Sequence, residues 1–348
     1  MTRVIAIDPV HPDPAAIAAA AAVLRAGGLV AFPTETVYGL GANALDARAV
    51  TRIFAAKERP ASDPLIVHLA AAADLGRVAR DLPPIVTTLA DACWPGPLTL
   101  VLPRTAAVPA NVTAGGAHVA VRVPDHPVAL ALIRAAGCPV AAPSANRFTR
   151  PSPTQASHVL ADLAGRIDLL LDGGQTTIGV ESSVVDLTCD PPHLLRAGGM
   201  TFEQLRAFLP QIIYAPRYLH ENELAEAPGQ LVRHYAPHAR LLLFDGAAAA
   251  VQARLRAEIA ARPAATVGLL LMDDDLARVR TPEVASATLG TSAETAALRL
   301  FGGLRALDDA GVHVIFARLP GDNGLWRALR DRLTRAAEGR VILIADEH

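Results

Sequence analysis

The chain has 348 residues, of which 51% are hydrophobic and 19% charged, and its formal net charge is -2. This length and apolar content predict a large buried core and two domains, whereas the charge gives no chain-wide basic field for nucleic acid. Three widely spaced cysteines, Cys93, Cys138 and Cys189, argue against a disulfide framework or a cysteine zinc site. No apolar run of membrane-spanning length and no signal-peptide pattern is present, so we expect a cytoplasmic protein.

Helix and strand signals alternate over residues 1–208 and predict an α/β domain with a mixed sheet. The first helix begins at Asp13-Pro14 and ends at Gly27-Gly28, which are start and stop signals. Further helices are expected at 46–57 and, interrupted by Pro83-Pro84, within 73–93. Strands are expected at 28–32, 65–69, 98–102, 119–123, 140–142, 169–172 and 183–187.

The second half of the chain has a different pattern. Residues 209–239 contain four prolines, Pro210, Pro216, Pro228 and Pro237, and are expected to form a linker. From residue 240, strands at 241–244, 266–272 and 312–317 alternate with helices at 247–261, 291–310 and 324–337. This order predicts a smaller Rossmann-like α/β domain over 240–348, without the G-x-G-x-x-G loop of a dinucleotide site.

The segment 30–43, V-A-F-P-T-E-T-V-Y-G-L-G-A-N, is the most informative part of the sequence. Hydroxyl, carboxylate and phenol groups directly follow the end of a strand, where α/β proteins place ligands. Gly39 and Gly41 permit close approach of backbone to ligand or neighbour. We interpret the segment as a ligand-binding loop, with a merely structural polar turn as the alternative.

Arg122 lies in the otherwise apolar stretch 119–124. A buried guanidinium needs an anionic partner, because an unpaired buried charge is costly. That partner is either the carboxylate of a ligand, which suits the planar fork of arginine, or an internal Asp or Glu. The sequence leaves both open.

Further polar clusters stand at the ends of apolar runs. Residues 57–60 (K-E-R-P) follow a helix and could simply complement its dipole, while 142–146 (A-P-S-A-N) and 179–186 (G-V-E-S-S-V-V-D) offer hydroxyls and an amide for phosphate oxygens. Arg196 precedes Gly198-Gly199. No G-x-S-x-G surrounds Ser144, which disfavours a serine nucleophile. His68, as a lone histidine, has a structural role as its alternative.

In their residues and in their order along the chain, these motifs strongly resemble those of the YrdC-like threonylcarbamoyl-AMP synthases, over about residues 10–207. The shared motifs are Thr34-Glu35-Thr36-Val37-Tyr38-Gly39-Leu40, Lys57-x-Arg59-Pro60, Pro64-Leu65-Ile66-Val67-His68, Trp94-Pro95-Gly96-Pro97-Leu98-Thr99, Val121-Arg122-Val123-Pro124, Ala142-Pro143-Ser144-Ala145-Asn146 and Glu181-Ser182-Ser183. The linker and the second domain resemble the long, two-domain form of that family.

The resemblance implies a twisted, concave, YrdC-like mixed sheet with helices, followed by the smaller Rossmann-like domain. It implies that L-threonine, bicarbonate and ATP are joined to give threonylcarbamoyl-AMP and pyrophosphate, the first step of tRNA threonylcarbamoyladenosine formation. Mg²⁺ would be bound through the ATP phosphates rather than by protein side chains. The implied partners are threonylcarbamoyl-transferase proteins that act on tRNA, with weak or no direct binding of nucleic acid and no membrane.

The resemblance also assigns site residues. The catalytic cations would be Lys57 and Arg59. Contacts to ATP would come from Lys57, Arg59, His118, Ser144, Asn146, Ser152, Arg196, His234 and Tyr235. L-Threonine would be held by Thr34, His68, Arg122, Ala142 and Ser182. We therefore expect Arg122→Ala to raise the threonine requirement while sparing folding.

In the long form of the family the linker covers the active site, so 209–239 is expected to act as a lid with Arg233, His234 and Tyr235 facing the nucleotide. Such a lid would shield a labile mixed anhydride from water. Two features depart from the family pattern. Leu231-Val232 stand where a basic and an aromatic residue are commoner, and His118 stands where a threonine-like residue is commoner.

Two other functions remain open at this point. One is adenylation of a different carbamate by the same fold, although the neighbouring domains that usually accompany that chemistry are missing from the sequence. The other is a non-catalytic RNA-binding module. The acidic net charge and the 4% content of aromatic residues argue against that second function, since single-stranded RNA is bound by stacking aromatics and cations.

Overall fold

A computed structural model describes residues 1–216 and 234–344, which divide into two compact units. Among these residues, the first unit contains 1–148 and 152–216, and the second contains 149–151 and 234–344. The greater part of the predicted linker, 217–233, lies outside the described residues, as do 345–348. None of the described helices is both long and apolar enough to cross a membrane.

The first unit is built on a mixed sheet of eleven strands, ordered β1-β8-β2-β3-β7-β4-β6-β5-β9-β10-β11. The strands are β1 (Arg3–Ala6), β2 (Val30–Phe32), β3 (Gly39–Asn43), β4 (Ile66–His68), β5 (Leu98–Pro103), β6 (His118–Arg122), β7 (Val140–Ala141), β8 (Leu169–Asp172), β9 (Ser183–Asp186), β10 (His193–Arg196) and β11 (Ile213–Tyr214). The helices are α1 (Pro14–Arg25), α2 (Ala47–Lys57), α3 (Ile85–Cys93), α4 (Pro127–Ala136), α5 (Ala156–Leu163) and α6 (Phe202–Phe208). The predicted α/β class with a mixed sheet is confirmed.

The helix α1 shows how local signals place an element of this unit. The Asp13 carboxylate accepts hydrogen bonds from the amides of Ala15 and Ala16, and proline occupies the first helical position, where it needs no backbone partner. Ile17 and Leu24 are buried on the inner face of the helix, in a core shared with β2, β8 and α4. This packing places α1 and α4 against β2 and β8.

The register of the central strands brings the predicted site residues to common positions. β4 runs parallel to β6 with His68 opposite Arg122, and β7 runs antiparallel to β4 with Val140 opposite His68. β9 lies parallel to β5 and begins at Ser183 opposite Leu98. The ends of β4 and β6 therefore carry His68 and Arg122 to the same end of the central strands as the segment that leads into β9.

One segment differs from its predicted form. The part of the segment 30–43 that follows the predicted strand is expected as a loop, but the loop ends at Tyr38 and β3 then pairs antiparallel with β2. A Cβ atom at Gly41 would lie 2.8 Å from the Phe32 ring and 2.9 Å from Val140. Glycine is therefore required there because the strands on either side pack tightly against its backbone.

The second unit contains a parallel sheet of five strands, ordered β14-β13-β15-β12-β16. The strands are β12 (Arg240–Asp245), β13 (Val267–Leu271), β14 (Ala285–Thr288), β15 (Val314–Arg318) and β16 (Val341–Leu343), and the helices are α7 (Ala248–Ala260), α8 (Asp273–Val279), α9 (Ala293–Asp309) and α10 (Trp326–Ala336). Leu269, Phe244 and Phe316 lie in its buried core. The predicted Rossmann-like α/β fold class of this unit is confirmed.

Candidate active site

The loop between β2 and β3 is folded around the Thr34 hydroxyl. Its Oγ1 accepts hydrogen bonds from the amides of Thr36 and Val37, both at 3.2 Å, and donates to the Val37 carbonyl at 2.6 Å. Because that donation uses its one proton, the 2.8 Å contact with Thr36 must be donated by the Thr36 hydroxyl. Thr34 thus fixes the turn that carries Glu35 and Thr36.

Arg122 reaches this turn from the end of β6. Its Nε donates to the Gly96 carbonyl at 3.2 Å and its Nη1 donates to Thr36 Oγ1 at 3.0 Å. Nη2 lies 2.5 Å from Glu35 Oε1, and both side chains are almost fully buried. Besides this ion pair, neither carboxylate oxygen of Glu35 accepts a hydrogen bond from the described residues. The internal carboxylate partner left open by the sequence is therefore Glu35.

His68 lies beside Arg122 and is neutral at ordinary pH. Burial, aided by the positive charge of Arg122, lowers the pKa of His68 to about 3. Its Nδ1 lies 3.3 Å from the Ile66 carbonyl. If Nδ1 carries the proton for that contact, Nε2 is left as a hydrogen-bond acceptor.

Arg196, on β10, fixes the position of Ser182. Its guanidinium donates to the Ser182 carbonyl at 2.9 and 3.1 Å and to the Ser182 hydroxyl at 3.2 Å. That hydroxyl is also 2.8 Å from the hydroxyl of Thr99. A Cβ atom at Gly198 would lie 2.3 Å from the Glu181 carbonyl oxygen, so glycine is needed for β10 to approach the segment 181–183 this closely.

Lys57, at the end of α2, holds the loop that follows β7. Its buried ammonium donates to the carbonyls of Ser144 and Asn146, both at 2.5 Å. Burial, followed by the charge of Arg59, lowers the pKa of Lys57 well below its usual range. The Phe148 amide in turn donates to the Lys57 carbonyl at 2.8 Å. The lysine thus ties residues 144–148 to the helix.

Arg59 has an internal partner as well. Its Nη2 lies 2.9 Å from Asp63 Oδ2 with both groups buried, and it donates to the Pro64 carbonyl at 2.8 Å. Burial raises the pKa of Asp63, opposed by the charges of Arg59, Lys57 and Arg196. These three cations therefore share one electrostatic environment around Asp63.

Tyr38 joins the separate loops of the site. Its backbone bonds to the carbonyl of Pro153 and the amide of Ala145, both at 2.8 Å. Its phenol donates to the Gly174 carbonyl at 2.6 Å, and burial, aided by the charge of Asp172, raises its pKa above the usual range. Tyr38 is therefore a neutral structural link rather than an acid or base.

The remaining predicted positions fall in different places. Ser152 is fully buried and donates to Glu181 at 2.5 Å, and Ala142 is buried with its amide bonded to the Ile66 carbonyl. His118 is exposed at the opposite end of β6 from Arg122, roughly 13 Å along a five-residue strand. The structure does not bring His118 to the cluster around Arg122.

His234 and Tyr235 belong to the second unit. The Tyr235 ring is buried there, 5.3 Å from the Phe301 ring and 5.2 Å from the Arg332 guanidinium carbon. Arg233, predicted to lie beside them in the lid, is outside the described residues.

The site residues that the sequence did not single out are the internal partners of the predicted arginines and serines. Glu35, Thr36 and Asp63 hold Arg122 and Arg59, and Thr99 and Glu181 hold Ser182 and Ser152. All but Asp63 stand inside motifs quoted above, which was the available signal. Within the described ranges, no group of three or more His, Cys, Asp or Glu side chains could hold a metal ion.

Comparison with known families finds two matches along the chain. The Sua5, YciO and YrdC family, described as "Telomere recombination", matches residues 22–198. The family described as "Threonylcarbamoyl-AMP synthase, C-terminal domain" matches residues 200–338. Together these matches account for most of the chain.

Individual relatives agree. The threonylcarbamoyl-AMP synthase of Pyrococcus abyssi is 45% identical over 331 residues, covering 93% of this chain and 95% of that protein. The enzyme of Bacillus subtilis is 44% identical over 327 residues, covering 94% of each. A crystal structure of P. abyssi Sua5 complexed with L-threonine superimposes with a TM-score of 0.93 at 42% identity, covering 99% of this chain and 100% of that chain.

Proposed function

The chain belongs to the Sua5, YciO and YrdC family of threonylcarbamoyl-AMP synthases, and from this premise we propose which of its residues perform each part of the reaction. Enzymes of this kind are nucleotidyltransferases that use L-threonine, bicarbonate and ATP. Their product, threonylcarbamoyl-AMP, is made in the first step of threonylcarbamoyladenosine formation in tRNA.

We assign threonine to the pocket formed by Thr34, His68, Arg122, Ala142 and Ser182. The observation that carries the assignment is the buried Arg122–Glu35 pair. A zwitterionic amino acid matches such a pair, since its carboxylate can bind the guanidinium while its ammonium donates to Glu35, whose carboxylate oxygens accept no hydrogen bond from the described residues. Neutral His68 offers an acceptor for the threonine hydroxyl without adding charge.

We assign ATP to the environment of Lys57, Arg59, Ser144, Asn146, Ser152 and Arg196. In the reaction, a carboxylate oxygen of N-carboxythreonine attacks the α-phosphorus, a new P–O bond forms, and the bond to the departing pyrophosphate breaks. Two anions must meet for this attack, and Lys57 and Arg59 offset their repulsion and the charge on the leaving group. In its charged form, which the phosphates of bound ATP favour, Lys57 has three N–H donors. Two go to the loop carbonyls and one is left for a phosphate oxygen.

Mg²⁺ is proposed as the companion of ATP, because it is usually bound through phosphates with at most one or two carboxylates. The described side chains fit this arrangement, since the carboxylates of Asp63 and Glu181 lie among the proposed ATP contacts. When bound, Mg²⁺ would supply charge neutralisation on the phosphates.

The family resemblance alone supports roles for His118, His234 and Tyr235 at the nucleotide, and they stay predictions. The proposed site has no covalent intermediate, so catalysis consists of positioning and electrostatic stabilisation. We propose that the enzyme works in the cytoplasm and passes its product to threonylcarbamoyl-transferase proteins that act on tRNA. Three free cysteines are compatible with a reducing compartment.

The threonine assignment is tested by removing the charges of Arg122 and Glu35 together. The double variant Arg122→Gln, Glu35→Gln leaves no lone buried charge, so folding is protected while the recognition of a zwitterion is lost. We expect the KM for threonine to rise by about a hundredfold or more, with a much smaller change in the KM for ATP. Arg48→Gln, exposed on α2, is the matched control, and an unchanged threonine KM in the double variant would refute the assignment.

A further inference from the structure

The second unit contains a cavity of about 540 Å³, and none of its lining residues is among the threonine or ATP contacts assigned above. It lies at the carboxyl edge of the parallel sheet. Leu271 and Met272 approach it from the end of β13, Arg318 and Leu319 from the end of β15, and Ala248 from the start of α7. Cavities of several hundred Å³ are the size that encloses small organic ligands.

The topology explains why the cavity opens at this edge. The connections that contain α7 and α8 lead toward the β14 edge of the sheet. Those that contain α9 and α10 lead back toward the β16 edge. α7 packs with α8 and α9 packs with α10. β13 and β15 are neighbours whose following segments leave in opposite directions. Such a switch point is where open α/β sheets bind ligands.

The chemistry of the lining is asymmetric. Met272, Leu289, Leu319 and the partly exposed ring of Trp326 form an apolar wall. Facing it is Arg318, whose side chain is 34% exposed. Exposed Asp274 and Arg278 stand at the rim with opposite charges that offset each other. Asp275, which is buried, also lines the cavity next to Arg318, so Arg318 is the partly exposed charged group that a ligand inside the cavity meets.

Asp275 holds the Arg318 guanidinium in place without using all of its hydrogen-bond donors. Its Nη1 lies 3.4 Å from Asp275 Oδ2, a long ion pair. Asp275 is buried and accepts a short hydrogen bond of 2.7 Å from Gln252. Guanidinium has five N–H donors, and in the described part of the chain the side chain of Arg318 makes no hydrogen bond besides the one to Asp275. Donors thus remain for an anionic ligand, while Asp275 orients them.

We propose that this cavity is a binding site for a small organic anion with an apolar or aromatic body. The anionic group binds the Arg318 guanidinium, and the body packs on Trp326 and Leu289. The site is separate from the threonine and ATP assignments and takes no part in the adenylation step.

The test compares two dyes with the same apolar body, using the full-length protein. Anilinonaphthalene sulfonate carries the anion, and N-phenylnaphthylamine lacks it. We expect the sulfonate to bind the wild-type protein about tenfold more tightly or better, and Arg318→Gln to remove that preference, since one hydrogen-bonded charge contributes about this much. Arg318→Lys should keep part of it. Arg280→Gln, an exposed arginine outside the cavity, should keep all of it.

Fluorine NMR of fluorotryptophan-labelled protein locates the bound dye. The chain has two tryptophans, Trp94 and Trp326, and only the second lines the cavity. The proposal requires the sulfonate to shift the Trp326 resonance, identified with Trp326→Phe, and to leave that of Trp94 in place. Equal affinity for both dyes, an Arg318→Gln variant that retains the preference, or an unmoved Trp326 resonance would each overturn it.

Discussion

Arg122 and Glu35 show how a functional charge is kept inside an apolar sheet. Removing one partner of a buried ion pair costs roughly 3–5 kcal/mol, because the other charge is left unpaired, and whole domains are stable by only about 5–15 kcal/mol. The sequence-based expectation that Arg122→Ala spares folding therefore does not follow from this geometry. Any single substitution of Arg122 mixes a loss of stability with a loss of binding, which is why the double variant is the better probe.

His68 gives a prediction about pH. Its pKa of about 3 in the folded protein lies below the value of about 6.5 for an exposed histidine, so the unfolded chain binds the extra proton. Stability from this group is present above about pH 6.5 and is lost as pH falls toward 3, with a slope of at most ~1.4 kcal/mol per pH unit. Urea unfolding across this range should show a shallower decline for His68→Gln than for the wild type.

The matched control for that experiment is His11→Gln, in the exposed N-terminal segment. The two unfolding curves should be collected at the same pH values and ionic strength. Identical slopes for the wild type and His68→Gln would contradict the buried neutral state of His68.

At the scale of elements, the site depends on close contacts between short strands. The approach of β10 to residues 181–183 requires Gly198, since a Cβ atom would lie 2.3 Å from the Glu181 carbonyl oxygen. Gly198→Ala must therefore displace Ser182 or Arg196. Because a shift of about 1 Å in a positioned group can cost about a hundredfold in rate, we expect kcat/KM for threonine to fall at least about tenfold in steady-state assays.

Gly76→Ala is the control for this substitution. Gly76 lies in the short 3-10 helix Ala72–Arg77, and a Cβ atom there would have no neighbour within 4 Å. The added methyl group should therefore leave activity unchanged and should not destabilise the fold. A Gly198→Ala enzyme with wild-type kcat/KM would show that the two segments can separate without harm to the site.

The same elements show what a sequence can predict. The helices α1 and α2 can be predicted because Asp13 and Asp46 cap their N-termini and glycine or proline follows their C-termini. β3 cannot be predicted from the sequence in this way, since its residues G-L-G-A-N include none of the β-branched residues typical of strands. Glycine is required at position 41 because of Phe32 and Val140, which lie in other elements. β14 is short and half-exposed, which leaves no periodic signal.

The site residues show the same difference between what can and cannot be predicted. Single positions such as Arg122 and Lys57 stand out by residue type, but their partners do not. Lys57 bonds to carbonyls 87 and 89 residues away, and Arg122 pairs with a carboxylate on a distant loop. Pairing of this kind is set by the register of the sheet, which a single sequence does not reveal.

At the scale of the whole molecule, the segment between the two units carries a functional prediction. The family resemblance predicts that it acts as a lid, and residues 217–233 lie outside the described part of the chain. Replacing residues 222–231 with glycine and serine at equal length keeps Tyr235, whose ring packs in the second unit. We expect kcat to fall about tenfold or more with little change in Tm, because a lid excludes water from the mixed anhydride. A wild-type kcat would show that the segment is only a tether.

Pyrophosphate release shows whether this chain activates a threonine-derived carbamate with ATP. The assay is run with ATP and Mg²⁺, with and without L-threonine and bicarbonate, and with serine in place of threonine. We predict release only when both co-substrates are present, with threonine clearly preferred. Release with another amine would contradict the threonine assignment, and no release under any condition would contradict the enzymatic account itself.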